Sequence, residues 1–419
     1  MNRLVLALLL IFALRCHAND WPEWRGGPKR DGIWNDPTLS TTPTKEPTVI
    51  WKAQIGTGYS SPSVIGKRLF VMDRTEPKTD QEQERVLCLD RETGSNLWTY
   101  SYSNKLKLKS GYENGPRTTP TVHGDKVYTL GAMGRLNCLE LETGREIWKK
   151  ELVADFGGRI PTWGYANAPW VEGKSLFVQA GATNGTVIAL DKDSGKELWK
   201  FGTNNAGYSA ILEIQSGGKK QLIVWSAESI HSLDPVTGSP FWSLPRRLRW
   251  DQAVATPVWN PAESLLGFSA DREGTLVLKL SDDKPGYRIA WDSFALSSLH
   301  SSIVQVGGVL YGINHNGDIA AECGELRSVQ MSDGKLNWVE KTVAPLKMHT
   351  QGSTAYNEGN GLFYITTETG ELVIARASAE KYQQLAKFQI GGKTWSHPAY
   401  ANHCIYFRSE NTLVCSRLE

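Results

Sequence analysis

The stretch IALDKDSGKELW (188–199) has three close copies in the same chain: VLCLDRETGSNLW at 86–98, LNCLELETGREIW at 136–148 and IHSLDPVTGSPFW at 230–242. Each joins an apolar run to a polar turn ending in Gly, with a Trp four residues beyond that Gly. Repetition at a fixed period marks a modular scaffold, because one unit buries its apolar face only against its neighbours. The tryptophans carry the period further. Trp51, Trp98, Trp148, Trp199, Trp242, Trp291 and Trp338 are separated by 47, 50, 51, 43, 49 and 47 residues. Residues 48–419 hold about eight such periods, and eight short strand signals begin them: SSPSV, TTPTV, NAPWV, SAILE, ATPVW, HSSIV, GSTAY and SHPAY.

Inside a period the pattern is of short β-runs separated by Gly- or Asp-containing reversals, and no useful helical periodicity appears between 48 and 419. Four antiparallel strands per repeat make a propeller blade, and closing the ring protects the sheet edges. The chain is therefore expected to be all-β, one eight-bladed propeller of four-stranded antiparallel blades over 48–419. The Thr-Gly or Ser-Gly supplies the turn between the third and fourth strands. The seven tryptophans of the series are assigned to docking between blades, each burial stabilising by a few kcal/mol (~2–3). The last period, 396–419, has room for three strands, whereas TVIWKAQI (48–55) has a Trp and no strands before it. The N-terminal strand is expected to complete the last blade. Two periods degenerate: the fifth reads SDDKPGYRIAW in place of the Gly turn, and the seventh, ASAEKYQQLAKF, has no Trp.

Outside the ring, MNRLVLALLLIFALRCHAND has Arg3, an apolar core from Leu4 to Leu14 and Ala18 before Asn19. That is the layout of a signal peptide over 1–18, too short to span a bilayer, and it implies an exported, periplasmic or secreted protein. Lipid anchoring at Cys16 ranks second, because Arg15 does not suit that cleavage. Without 1–18 the basic count falls from 46 to 44, equal to the 44 acids. A balanced chain with mixed signs has no footprint for nucleic acid, and no other run is apolar enough for a transmembrane segment. Cys88, Cys138, Cys323, Cys404 and Cys415 are too sparse for a disulfide framework. Cys88 and Cys138 read as small buried hydrophobes, and a Cys404–Cys415 bridge stays open. The arm over 19–47, with Trp21, Trp24 and Trp34, is expected to pack irregularly across one face of the propeller. The charged run RTEPKTDQEQER (74–85) is expected as a solvated loop.

Chemistry-bearing motifs are few: there is no G-x-S-x-G, no H-E-x-x-H and no phosphate loop. His123 and His231 read as structural. The start of each first strand opens on one mouth of the channel, and Tyr59, Arg117, Trp163, Tyr165, Asn167, Tyr208, Trp250, His300, His349, Trp395 and His397 fall there. Aromatic rings, one Arg and several His around a funnel suit a sugar, a peptide or a planar ligand; equally, they can fill the channel and brace the blades.

The Leu-Asp-x-x-[Thr/Ser]-Gly-x-x-x-Trp copies resemble the tryptophan-docking repeat of PQQ-type, quinoprotein-like propellers. DWPEWRGGPKRDG (20–32), with GPRTTPTVHGDKVY and WSHPAY, is similar to the opening and repeats of exported bacterial PQQ-like repeat proteins, departing with Gly-Gly-Pro where those have Gly-Pro. The resemblance covers residues 20–419. It implies two functions: a non-catalytic binding or scaffold protein of the bacterial cell envelope, a class that includes the propeller lipoprotein of the outer-membrane barrel assembly machinery, or a PQQ-dependent oxidoreductase acting on an alcohol or sugar. The enzymes of the superfamily use PQQ with Ca²⁺, and hallmarks of many are adjacent cysteines and C-x-x-C-H, both missing here. The first function is favoured, with no catalytic residue, cofactor or metal expected, a protein, peptide or saccharide as partner, and a monomer as the working state.

Overall fold

The structure, a computed structural model, describes residues 20–27, 29–108, 115–317, 319–322, 324–343 and 352–419. The leader expected over 1–18, Cys16, Cys323 and His349 lie outside these residues. Eight antiparallel sheets succeed one another along the chain. Blades 1 to 7 span 63–103, 121–151, 170–201, 212–245, 258–293, 304–340 and 352–389. Blade 8 combines Ala399–Ala401, Cys404–Ser409 and Thr412–Arg417 with the N-terminal strand Thr48–Gln54. That strand pairs antiparallel with Thr412–Arg417, bringing Trp51 opposite Cys415. The ring is closed as its two ends require. Among the described residues helix is confined to Leu152–Phe156, ended by Gly157 at φ 69°, and two single 3₁₀ turns. This short helix carries too few residues to show a period in the sequence.

The core lies in layers between blades. One layer joins Tyr128, Leu136 and Cys138 of blade 2 to Val171, Val178 and Ile188 of blade 3. At its rim the Trp148 ring lies on Gly195, where an added Cβ would come within 2.8 Å of the indole, and its Nε1–H donates to the Lys192 carbonyl at 2.9 Å. The same seat recurs for Trp51 on Gly94, Trp98 on Gly144, Trp199 on Gly238 and Trp291 on Gly334. Gly holds positive φ at each of these turns, and any side chain there would displace the ring. In the degenerate blades a tyrosine meets the ring instead: Trp242 has Tyr287 at 4.8 Å and Trp338 has Tyr382 at 5.7 Å. Trp338 still donates to the Ser378 carbonyl, whereas the Trp242 N–H has no hydrogen-bond partner among the described residues. Asp191 builds the turn rather than the dock: its Oδ1 accepts from the Asp193 and Ser194 amides and from the Ser194 hydroxyl.

One expectation is corrected, a second holds in part, and the open question of a bridge is answered. The arm does not lie across a face but threads the centre of the ring. Trp21 exchanges backbone hydrogen bonds with Val64 in blade 1, and the Pro22 carbonyl accepts from the Val122 amide in blade 2. Arg30 donates to the carbonyls of Pro169 and Ile211 at blades 3 and 4, Trp24 Nε1 to Thr256 Oγ1 beside blade 5, and Arg25 to the Ile303 carbonyl at blade 6. Ile33–Trp34 adds a parallel strand to the inner strand of blade 7, and Trp34 stacks on Tyr400 of blade 8 at 4.4 Å. The run 74–85 holds in part to expectation: 76–81 form an exposed turn between Arg68–Thr75 and Gln83–Asp90, but Arg74, Glu82 and Glu84 at its ends are buried. Its charges pair inward, Arg74 with Glu82 at 2.8 Å and Arg85 with Asp73 at 2.6 Å. Cys404 and Cys415 are free buried thiols on neighbouring strands, not a bridge. Cys88 and Cys138 are fully buried, and burial pushes both thiols up to about 12.

Candidate functional site

Each outer strand returns to the next inner strand through a connection on one face of the ring, opposite the Gly turns. Seven of the eight connections contribute described residues to a cavity of about 290 Å³ at the channel mouth. Tyr59 and Ser61 come from the blade 8–1 connection, Arg117 from 1–2, Trp163, Ala166 and Ala168 from 2–3, and Tyr208 and Ala210 from 3–4. Gln252 and Val254 follow from 4–5, Leu299 and His300 from 5–6, and Trp395 and His397 from 7–8. Trp24, from the arm, lines the same cavity. Since the arm fills the channel against every inner strand, the cavity is blind and opens at the mouth.

Seven of the eleven residues expected at the mouth line this cavity: Tyr59, Arg117, Trp163, Tyr208, His300, Trp395 and His397. Tyr165 and Asn167 do not. Tyr165 is fully buried with its hydroxyl donating to the Ala180 carbonyl at 2.8 Å, and Asn167 braces Gly207 and Gln179. Trp250 points away, 68% exposed on a turn with φ 60°. Sequence reasoning missed Trp24, Gln252 and the small and aliphatic residues that leave the space. Trp24 stood in the quoted WPEWRGG opening, but nothing in a repeat that begins at residue 48 routes an arm through the ring. The alanines stood one residue from the strand starts and carry no chemistry to notice.

The walls are aromatic and ordered. Tyr59 and Trp395 stack at 5.5 Å with planes 15° apart, and Trp395 and His300 at 5.9 Å and 11°. The Arg117 guanidinium lies over Tyr59 at 5.2 Å. Trp163 meets Tyr208 edge-on, and its amide donates to the Tyr208 hydroxyl. Beneath them Trp24 packs on His397 at 4.5 Å. Trp395 is tied through its Nε1–H to Glu368 at 2.9 Å.

Electrostatically the lining holds one guanidinium and, among the described residues, no carboxylate. Burial pulls Arg117 below its ordinary value, against the pull of Tyr59 and of Glu84 behind it. Glu84 is fully buried, accepting from the Tyr102 hydroxyl at 2.7 Å and the Ala132 amide at 3.2 Å. Burial first, and the charge of Arg25 second, push His397 down to about 3, so its ring is neutral with Nε2 on the His300 carbonyl at 2.7 Å. Ca²⁺ takes six to eight oxygen ligands, including carboxylates. The described lining offers no Asp or Glu, and no group of three His, Cys, Asp or Glu able to hold a metal ion occurs among the described residues. This donor set does not fit the Ca²⁺ that accompanies PQQ.

Comparison with known proteins agrees with this architecture. A quinoprotein ethanol dehydrogenase of Pseudomonas putida is 27% identical over 166 residues, 35% of this chain and 25% of the relative. The outer membrane protein assembly factor BamB of Burkholderia pseudomallei is 30% identical over 82 residues, 20% of this chain and 18% of the relative. Matches to the first three curated relatives span only 18 to 28% of their own length. Among solved structures, BamB from Moraxella catarrhalis has a TM-score of 0.58 at 15% identity, covering 88% of this chain and 98% of its own. A europium-containing methanol dehydrogenase has a TM-score of 0.66 at 13% identity, covering 96% and 90%. At such identities these structures show the shared fold alone. The family model described as outer membrane protein assembly factor BamB matches residues 82–338, more than half of the sequence, and the chain belongs to that family of PQQ-like β-propellers.

Proposed function

We propose that the chain is a non-catalytic binding propeller of the bacterial cell envelope, with the blind mouth cavity as its binding site. One observation carries the reading: seven connections and the arm converge on an aromatic-walled pocket whose described lining supplies no carboxylate. Pockets of this kind, apolar with a few placed polar groups, are the ordinary form of small-ligand sites. A quinoprotein oxidoreductase acting on an alcohol or sugar is the second reading, favoured by the dehydrogenase relatives and by the planar stack at Trp395. Alcohol oxidation needs a base to receive the hydroxyl proton. His397, already hydrogen-bonded and resistant to protonation, is poorly suited to that part.

The two readings separate in one assay. The purified protein is mixed with PQQ and CaCl₂, and the absorbance spectrum, the melting temperature and dye reduction with ethanol or glucose are followed. The binding reading expects no dye reduction above the protein-free control. PQQ-dependent dye reduction overturns it.

A further inference from the structure

We propose that Cys404 and Cys415 form a two-coordinate site for a soft monovalent cation, Cu(I) or its surrogate Ag(I), beneath the tryptophan that closes the ring. The site lies in the turn-face half of blade 8 and is independent of the mouth cavity.

The pairing register builds the site. Tyr406 stands opposite Cys415, and Cys415 opposite Trp51 of the N-terminal strand, so these side chains share one face of blade 8. Cys404, two residues before Tyr406 on the same strand, points to that face as well, diagonal to Cys415. The face packs on blade 1, where the Trp51 Nε1–H donates to the Arg91 carbonyl at 2.9 Å. Blades 1 and 2 put Phe70, Cys88 and Trp98, and Tyr128, Cys138 and Trp148, in the same three places. Where blade 8 has Cys404, they carry the cations Arg68 and Lys126. Of the four described cysteines, only Cys404 and Cys415 are set together, and both are buried.

The Cys415 thiol donates to the Cys404 sulfur, and the Tyr406 hydroxyl donates to the same pair. The proton between the two sulfurs occupies the place that a soft cation would take. Thiolate ligands select Cu(I), and a Cu(I) ion held by two of them carries one negative charge. Arg91 and Arg417 flank the pair and offset that charge. Structural zinc sites need four ligands, and no group of three His, Cys, Asp or Glu occurs among the described residues. A disulfide suits the spacing less well. Diagonal neighbours in a hairpin stand about 7–8 Å apart, beyond the Cα separation of about 4.4–6.8 Å usual for bridged cysteines. Two sulfurs on one ion sit farther apart, at about twice a metal–sulfur bond of about 2.3 Å. On binding, both thiols give their protons to solvent and no oxidation state changes.

The test mixes the reduced full chain, under nitrogen, with Cu(I) held by the chromophoric chelator bicinchoninate, and follows the chelator absorbance with native mass spectrometry alongside. The expected result is transfer of one Cu(I) per chain, the same stoichiometry for Ag(I), and no retention of Zn²⁺. Cys404→Ser and Cys415→Ser should each reduce transfer to the protein-free level, whereas Cys88→Ser, in the equivalent seat of blade 1, should leave it unchanged. Should either blade 8 variant melt early, X-ray absorption at the copper edge of the loaded parent reads the site directly, with two sulfurs expected. No transfer to the parent, retention by Cys404→Ser, loss in a folded Cys88→Ser, or a shell of three or more ligands overturns the assignment. So does a disulfide in the metal-free chain, read as tryptic peptides 394–408 and 409–417 leaving linked, since Arg408 lies between the two cysteines. None of these outcomes bears on dye reduction with PQQ, which tests the mouth.

Discussion

The two faces of the ring use the repeat in opposite ways. On the turn face, five Trp rings sit on five glycines in nearly the same geometry, and the two exceptions replace Gly by a tyrosine ring. On the mouth face, the connections contribute Tyr, Arg, Trp, Gln, His and small residues with no common pattern. Residues that dock blades can be interchangeable because every interface poses the same problem. Residues that face one shared cavity cannot be, since each occupies a different position around its contents. Stability and recognition are thereby assigned to opposite ends of the same strands.

The largest effect expected on the turn face is removal of residues 48–56. Blade 8 would lose its outer strand, and the Trp51 ring would leave Gly94. An open sheet edge and an unfilled interface would remain where the ring closes. Circular dichroism melting should show loss of the cooperative transition; a truncated chain that melts like the parent breaks the closure argument. Next in size is Trp148→Ala, expected to destabilise by about 3–5 kcal/mol in urea titration. Trp163→Ala at the mouth, where the ring is half-buried against Tyr208, should cost about 1 kcal/mol. Equal losses for the two would mean that the mouth tryptophans are bracing rather than binding, and the contrast between faces would fail.

A finer comparison uses two glycines in the same backbone region. Gly124 has φ 61° and open space where a Cβ would go, whereas Gly195 has φ 69° and the Trp148 ring at 2.8 Å. Gly124→Ala should cost only the left-handed backbone penalty, about 1–2 kcal/mol. Gly195→Ala should add roughly 1–3 kcal/mol for displacing the ring. Parity between them in urea midpoints would show that these turns need Gly for φ alone.

The turn face was the legible one. Trp, Gly and the strand starts recur at one period, and from them the blade count, the four-stranded sheets and the closing strand all follow, because each blade solves its burial locally. The mouth was half legible. Chain position placed Tyr59, Arg117 and Trp395 near a common centre, but position along a strand does not say whether a side chain turns into the cavity, as Tyr208 does, or behind it, as Tyr165 does. The arm was not legible, because its partners are backbone carbonyls and inner-strand edges, which every sequence possesses. The charged run 74–85 was legible in its exposed middle, 76–81, and not at its ends. Composition suggests solvent, yet Glu84 finds the Tyr102 hydroxyl and Arg74 finds Glu82 in the long hairpin of blade 1.

The smallest expected effect tests both regions at once through two buried histidines. His231, within blade 4, holds Ser243 at 2.8 Å and is pushed down to about 4 by burial, and His397 at the mouth to about 3. An unfolded histidine binds its proton near pH 6.5. Between that value and the folded ones the unfolded chain carries more protons, so acidification favours it. Stability from these groups is fully present above pH 6.5 and is lost as the pH falls toward 4 and then 3. Urea midpoints should therefore drop between pH 7 and pH 5, and the His231→Gln, His397→Gln double variant should show a shallower drop. His231→Gln alone should flatten the pH dependence in part. His397→Gln alone should do the same at the mouth, and a double-variant effect that departs from the sum of the two singles would mean that the regions are coupled rather than separate.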